Sequence, residues 1–363
     1  MFSWQKIKEF FIRHEDHLSS SSLVLGFLFD IFVLTRIDMP EENLWIISHL
    51  VVAVIGILIL NFYENKDIRR GEVDNLHYWL VIMIQFAFGG LLSTFLVFYF
   101  RSATISASWP FLLLLAISFA YNEILKQHYS RLTFQISYFF LSTFLFAIYY
   151  VPILFGRFGT ETFIFSGLVS IGVTMILLFI LFYVTKEKFK KSARATFYSI
   201  FGIYIIFNLM YFLNIIPPIP LSLQDAGVFH SISRNTDGNY DVTYERKGLR
   251  DYFRPYEILN YTKGDPMYIY SAVFSPTNLN TNIVHEWQYY DEDAGKWTTS
   301  TKISLSLTGG REGGYRTYSL TNNIFPGYWR VNVETPSGQV IGRIRFRAQE
   351  VSVSPFLYST IKE

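Results

Sequence analysis

Over the first 216 positions apolar residues come in long, nearly unbroken runs, whereas from about position 228 they alternate with polar ones. A helix needs roughly 20 residues to cross a hydrocarbon core about 30 Å thick. Runs of that order lie at 18–35, 43–62, 77–100, 109–125, 132–155, 162–184 and 196–216. The fourth is short by itself, and the small, hydroxylated stretch 102–108 before it can supply two further turns. The pattern therefore predicts about seven transmembrane helices in a domain spanning 1–216.

Beyond it, segments of period 2 at 228–233, 240–244, 267–274, 283–290, 303–307, 315–320, 328–335 and 340–347 read as strands. Turn residues separate them, among them Thr236-Asp237-Gly238, Asp291 to Gly295, the glycine-rich 309–314, Phe325-Pro326-Gly327 and Pro336-Ser337-Gly338. Trp329, Val331 and Val333 fall on one face of a strand, and Tyr328, Arg330 and Asn332 on the other. In the next strand Ile344 and Phe346 alternate with Arg343 and Arg345. The polar connection 245–264 is expected to hold a short helix or an irregular crossover. The fold expected is a membrane all-α bundle followed by an all-β, sandwich-like soluble domain at 217–363, its core at about 266–348.

Composition sharpens this division. The 363 residues are 51% hydrophobic with a mean hydropathy of +0.25. Of the 36 Phe, 30 precede Pro217, while the 60 charged residues split evenly at that point, 30 on each side. The absence of cysteine excludes disulfides and thiolate metal sites. Connections alternate between basic and nearly neutral, with 13 Lys and Arg against 3. Because basic loops stay cytoplasmic, the N-terminus is expected there, and seven spans place the C-terminal domain on the other side, the periplasm in a bacterium with two membranes. Trp45, Trp79 and Trp109 open their runs at headgroup level. No small-residue cleavage site follows the first run before Arg36, so it reads as a retained span.

Candidate chemistry is sparse. No phosphate-binding, dinucleotide or nucleophile-elbow motif occurs, and the seven His show no metal-ligating spacing. His285 and Glu286, being adjacent in a strand, point to opposite faces and cannot share a proton. His49 reads as a buried, hydrogen-bonded residue. Asp30 lies well inside the first span, where an ionised group needs a partner such as Arg36, Gln85, Gln135 or Asn208. In the C-terminal domain Arg330, Arg343 and Arg345, joined by Arg316, form a basic stripe beside Tyr318 and Tyr328 that suits an acidic glycan, a lipid headgroup or a partner's carboxylates, the plain alternative being an ordinary solvated face. The same domain balances 15 basic against 15 acidic residues, which gives nucleic acid no basic excess to bind.

Four stretches resemble a known family. They are Ile283-Val284-His285-Glu286-Trp287-Gln288-Tyr289-Tyr290, then Tyr315-Arg316-Thr317-Tyr318-Ser319, then Pro326-Gly327-Tyr328-Trp329-Arg330-Val331-Asn332-Val333, and the run from Ser337-Gly338 through Gly342-Arg343 to Phe346. The family is the domain of unknown function DUF2914. The membrane half is similar to the N-terminal region of one group of its members, through Gly26 to Asp30, Arg36-Ile37-Asp38, Asn122-Glu123 and Asn214 to Pro220. The resemblance implies core roles for Trp287, Trp329 and Phe346, a structural or ligand-contacting Arg316, and a polar cluster of Asp30, Arg36, Asp38, Asn122 and Glu123.

The expectation is thus an integral protein of a bacterial inner membrane, in contact with the lipid bilayer, whose periplasmic sandwich binds an envelope protein or acidic glycan through Arg316, Tyr318, Tyr328, Arg330, Arg343 and Arg345. That reading calls for no catalytic residue, cofactor or metal. The alternative is a transporter or a lipid- or glycan-modifying enzyme using the intramembrane cluster.

Overall fold

A computed structural model describes residues 15–65, 70–124, 128–236, 238–246, 248, 254, 256–277 and 279–362, without side chains at 15–23, 65, 70–75, 123 and 124. The chain divides into two compact units, one built on helices and one on strands, the second made of Ile216–Glu363 together with Ser102–Ser108 and Gly156–Phe158.

The helical unit contains α1 (Glu15–Val33), α2 (Pro40–Asn65), α3 (Arg70–Ser102), α4 (Ile105–Ile124), α5 (Leu132–Phe155), α6 (Thr160–Val184) and α7 (Lys186–Phe212). Six of these, α2 to α7, are long and apolar enough to cross a membrane. Of the stretch 102–108 only 105–108 joins α4, about one turn; Ser102 ends α3 and residues 103–104 connect the two helices. The basic segment 186–194, which reads as a loop by hydropathy, is instead the first turns of α7. Lys and Arg are good helix formers, and a single residue, Thr185, connects α6 to α7. Phe144 anchors the interior, touching the rings of Phe140, Phe163, Tyr204 and Phe207. Phe163 stacks on Tyr211 at 3.8 Å. Gly167 lets α6 approach α7, since a Cβ there would stand 2.7 Å from the Tyr204 ring.

The second unit has eleven strands: β1 (Ser222–Phe229), β2 (Ser231–Arg234), β3 (Tyr240–Glu245), β4 (Glu257–Tyr261), β5 (Met267–Phe274), β6 (Thr281–Asp291), β7 (Lys296–Leu307), β8 (Tyr315–Thr321), β9 (Gly327–Glu334), β10 (Val340–Glu350) and β11 (Leu357–Lys362). They form three sheets, ordered β1-β5-β8, β4-β10-β9-β6-β7 and β11-β3-β2. Every pairing is antiparallel except β4 with β10. The connection 245–264, expected as a helix or crossover, ends in β4, which edges the five-stranded sheet.

The main core lies between the first two sheets, where Val228, Met267 and Ile269 meet Leu259, Trp287, Trp329, Val331 and Phe346. A second cluster continues it through Val273, Ile283, Leu307, Val333 and Ile341. The third sheet covers the outer face of the first, packing Ile232 and Val242 on Phe229, Tyr270 and Ala272. Strand β5 is therefore covered on both faces, which explains why Met-Tyr-Ile-Tyr-Ser-Ala-Val-Phe hardly alternates.

The β7–β8 loop passes close to the backbone after β5. A Cβ on Gly309 would stand 1.8 Å from the Pro276 carbonyl oxygen, a contact that only a backbone shift could relieve. Gly309→Ala is expected to destabilise the unit by about 1–3 kcal/mol, read from the urea midpoint of pulse proteolysis on the full chain. A midpoint equal to wild type would show that the loop yields freely.

Candidate functional site

The outer face of the five-stranded sheet carries the basic stripe, and strand alternation puts it there. Burial of Trp329, Val331, Ile344 and Phe346 turns Tyr328, Arg330, Asn332, Arg343, Arg345 and Arg347 outward. Register then aligns them: Arg343 opposes Asn332, Arg345 opposes Arg330 and Arg347 opposes Tyr328.

Each arginine is held differently. Arg330 Nε donates to Gln288 Oε1 at 2.6 Å, and its guanidinium lies 4.4 Å from the centre of the Trp297 ring. Arg343 Nε donates to Asn332 Oδ1 at 2.7 Å. Arg347 lies 5.3 Å from the centre of the Tyr328 ring, which Tyr256 meets edge-on. Arg345 is exposed, and among the described residues it has no hydrogen-bond or ion-pair partner. Burial, followed by the charges of Arg343 and Arg345, brings the Arg330 guanidinium down to about 10. Arg343 is also lowered, by burial and by Arg345.

Carboxylates near this row are already engaged. Glu286 accepts from Thr299 at 2.9 Å, from Asn332 at 3.1 Å and from Lys302 at 3.1 Å. Burial alone would raise its carboxyl, but the bonds from Lys302, Thr299 and Asn332 outweigh that and hold it below the ordinary range. Lys302 also reaches Glu334 at 3.4 Å. Burial, with the Glu286 charge adding to it, pushes the Glu334 carboxyl up. Among the described residues, no carboxylate forms an ion pair with Arg330, Arg343, Arg345 or Arg347.

Arg316 and Tyr318 are elsewhere, on β8 of the first sheet. Arg316 is 6% exposed. Its Nη1 donates to Asn239 Oδ1 at 3.0 Å and to the Lys362 carbonyl at 2.9 Å, tying β8 to the third sheet, while its guanidinium lies over Tyr240. Tyr318 neighbours the rings of Tyr240 and Tyr268. The face thus gathers four of the six residues expected there and adds Arg347, Gln288 and Trp297. The alternation of Arg347 with Phe346 and Ala348 was a usable signal for the first of these. Gln288 and Trp297 arrive only through strand register, which composition does not reveal.

Among the described side chains, those of the expected intramembrane cluster do not converge on one site. Arg36 and Asp38 pair with each other, at 2.8 Å, in the α1–α2 connection. Asp30 accepts a hydrogen bond from Ser93 of α3. Asn122 accepts from Tyr129 and donates to the Gln85 carbonyl at 3.3 Å. The Glu123 side chain lies outside the described residues. A longer network occupies the end of the unit where α5 and α7 begin. Lys188 pairs with Glu64 and donates to Asn61 Oδ1 at 2.8 Å; Asn61 donates to Gln135 Oε1 at 2.7 Å, and Gln135 donates to the Tyr129 carbonyl at 2.5 Å. His49 Nδ1 bonds the Trp45 carbonyl at 2.9 Å.

His285 and Glu286 diverge, as strand alternation requires. His285 is fully buried between Ser271 Oγ and Ser319 Oγ, each at 2.8 Å, and Trp287 Nε1 donates to the same Ser319 at 3.0 Å. Burial pushes the imidazole down to about 4, so it is neutral at pH 7.

Residues 280–348, which carry β6 to β9 and most of β10, match the family model described as Protein of unknown function (DUF2914). The four stretches that resemble this family lie inside that range. No curated protein matches the chain. Among solved structures, the beta-glucosidase from Listeria innocua in complex with gluconolactone is 11% identical over 34% of this chain and 16% of its own, with a TM-score of 0.19. The complex with isofagomine gives 12% identity over 36% and 17%, at a TM-score of 0.19. The Pseudomonas fluorescens alkylpurine DNA glycosylase AlkC, bound to DNA containing an abasic site analog, is 8% identical over 85% of this chain and 98% of its own, at 0.22. The chain spans about one sixth of the length of the beta-glucosidase. Overlays at these scores assign neither fold nor activity.

Proposed function

We propose that the helical unit spans a bacterial inner membrane with its N-terminus in the cytoplasm, and that the β unit, on the periplasmic side, binds an anionic partner in the envelope, a protein carboxylate cluster or an acidic glycan, without catalysing a reaction. Six long apolar helices support the membrane reading, and α1, apolar over Val24–Val33, would be the seventh span that the opposite-side placement requires. So do the large side chains they turn outward, such as Phe86 (66% exposed), Trp79, Phe179 and Phe197, an apolar surface that water would not tolerate.

The binding reading is carried by one observation: four arginines share one sheet face and, among the described residues, none of them forms an ion pair with a carboxylate. Like charges directly opposite on neighbouring strands are destabilising, as Arg330 and Arg345 are here. A bound anion removes that repulsion and gains planar, two-point hydrogen bonds from exposed Arg345 and Arg347.

Crosslinking in native membranes tests it, with a photoreactive p-benzoylphenylalanine replacing Gln349 on the same face. A discrete adduct is expected, falling about tenfold when Arg345→Glu and Arg347→Glu are added. Digestion by protease or by glycosidase then tells protein from glycan. An adduct pattern unchanged by the double charge reversal would overturn the binding reading.

A further inference from the structure

Between the first halves of α5 and α7 lies a cleft of about 770 Å³. Its two helices run parallel, since Thr196 bonds Thr133 at 3.2 Å and Ser199 bonds Ser137 at 2.6 Å, and these hydroxyl pairs fasten its floor. Arg131 and Lys191 stand at its charged end, both exposed and neither with an ion-pair partner among the described residues. Lys188, which also lines it, is committed to Glu64 and Asn61. Among the described residues, no carboxylate lines the cleft. Its other end is apolar and closes on Leu141 and Ile203.

The dimensions are informative. From Arg131 to Leu141 is ten residues of helix, about 15 Å at 1.5 Å per residue. That is half of a hydrocarbon core about 30 Å thick, the depth of one leaflet. A small soluble anion would use the two cations and leave the apolar wall without a purpose. A phospholipid uses both ends.

We infer that this cleft binds one anionic phospholipid, its phosphate held by Arg131 and Lys191 and an acyl chain laid along the wall towards Leu141 and Ile203. The inference rests on the membrane reading of the helical unit. Basic pockets between helices at the cytoplasmic surface suit such headgroups on charge alone, and this end is the one at which the basic connections cluster.

The test uses the full chain purified in a neutral detergent and examined by native mass spectrometry with phosphatidylglycerol or phosphatidylcholine. Wild type is expected to retain one phosphatidylglycerol about tenfold more tightly than phosphatidylcholine. Arg131→Gln with Lys191→Gln should remove that preference. Ala195→Trp, which fills the apolar wall and keeps both charges, should remove it too. Unchanged elution volume and Tm show that the variants fold. Equal retention of the two lipids by wild type, or an undiminished preference in either variant, would overturn the proposal. Displacement of phosphatidylglycerol by millimolar inorganic phosphate would overturn it in favour of a soluble anion. Alkaline carbonate extraction of native membranes separates the two readings. A chain that stays with the membrane but shows no lipid preference defeats the cleft proposal alone, whereas one released by carbonate defeats the membrane reading as well.

Discussion

Trp287→Ala will cost the β unit about 3–5 kcal/mol, more than is expected for Gly309→Ala. Trp287 is fully buried where both faces of the main core meet, edge-on to Phe346 at 6.4 Å. Truncation leaves a cavity that strands on two sheets must move together to fill, and hydrogen-bonded registers prevent that. It also removes the indole donor from Ser319. Trp287→Phe separates the two contributions, since it keeps most of the apolar contact and loses the hydrogen bond, for about 1 kcal/mol plus the smaller ring's deficit. Pulse proteolysis of the full chain in urea measures both. A loss below 1 kcal/mol for the alanine variant would mean that the core is not packed as described.

Acidification from pH 6.5 to pH 4 will remove about 3 kcal/mol of stability through His285 alone, the product of a 2.5-unit difference and 1.36 kcal/mol per unit. The folded imidazole sits at about 4 and the unfolded one near 6.5, so within this window the unfolded chain binds the extra proton. Stability is therefore complete above pH 6.5, falls as the pH drops through the window and loses nothing further from this group below pH 4. Two serine hydroxyls hold the ring, and neither can stabilise a positive charge as a carboxylate would. His285→Gln should flatten the slope between pH 5 and 6.5, above the ordinary carboxylate range; the raised Glu334 carboxyl acts in the opposite sense, since the folded chain takes up that proton more readily. If the variant kept the wild-type slope, another group would be responsible.

How far these features were legible varies with the distance over which the deciding contact acts. Period 2 in β9 and β10 alone sorted Trp329 and Phe346 inward and Arg330, Arg343 and Arg345 outward. Motif position could not show that Arg316 belongs to another sheet, because its partners Asn239 and Lys362 lie 77 and 46 residues away. The third sheet was hidden for a related reason. Its strands β2 and β3 read as parts of one sandwich, and only their packing on the outer face of β5 shows a separate layer. In the helical unit, apolar runs located the helices but not their ends, since α7 begins in residues too basic for a hydropathy window. That placed Lys188 in a loop and concealed its bond to Asn61, 127 residues distant.

The parallel pairing of β4 with β10 joins Glu257 to Phe346, 89 positions apart, and β3 meets β11 across a still longer interval, Val242 to Thr360. Only hairpins such as β6–β7 and β9–β10 can form from neighbouring segments. High contact order of this kind slows folding, because loop-closure entropy is spent before the distant strand contributes its contacts. As the polypeptide emerges from the ribosome, β3 can pair with β2 at once but keeps its other edge open until β11 arrives, about 110 residues later, and β4 waits about 80 residues for β10. During that interval their open edges are templates for the wrong strand, so the yield of this protein in the cell depends on how long those edges stay open as much as on the depth of its native well.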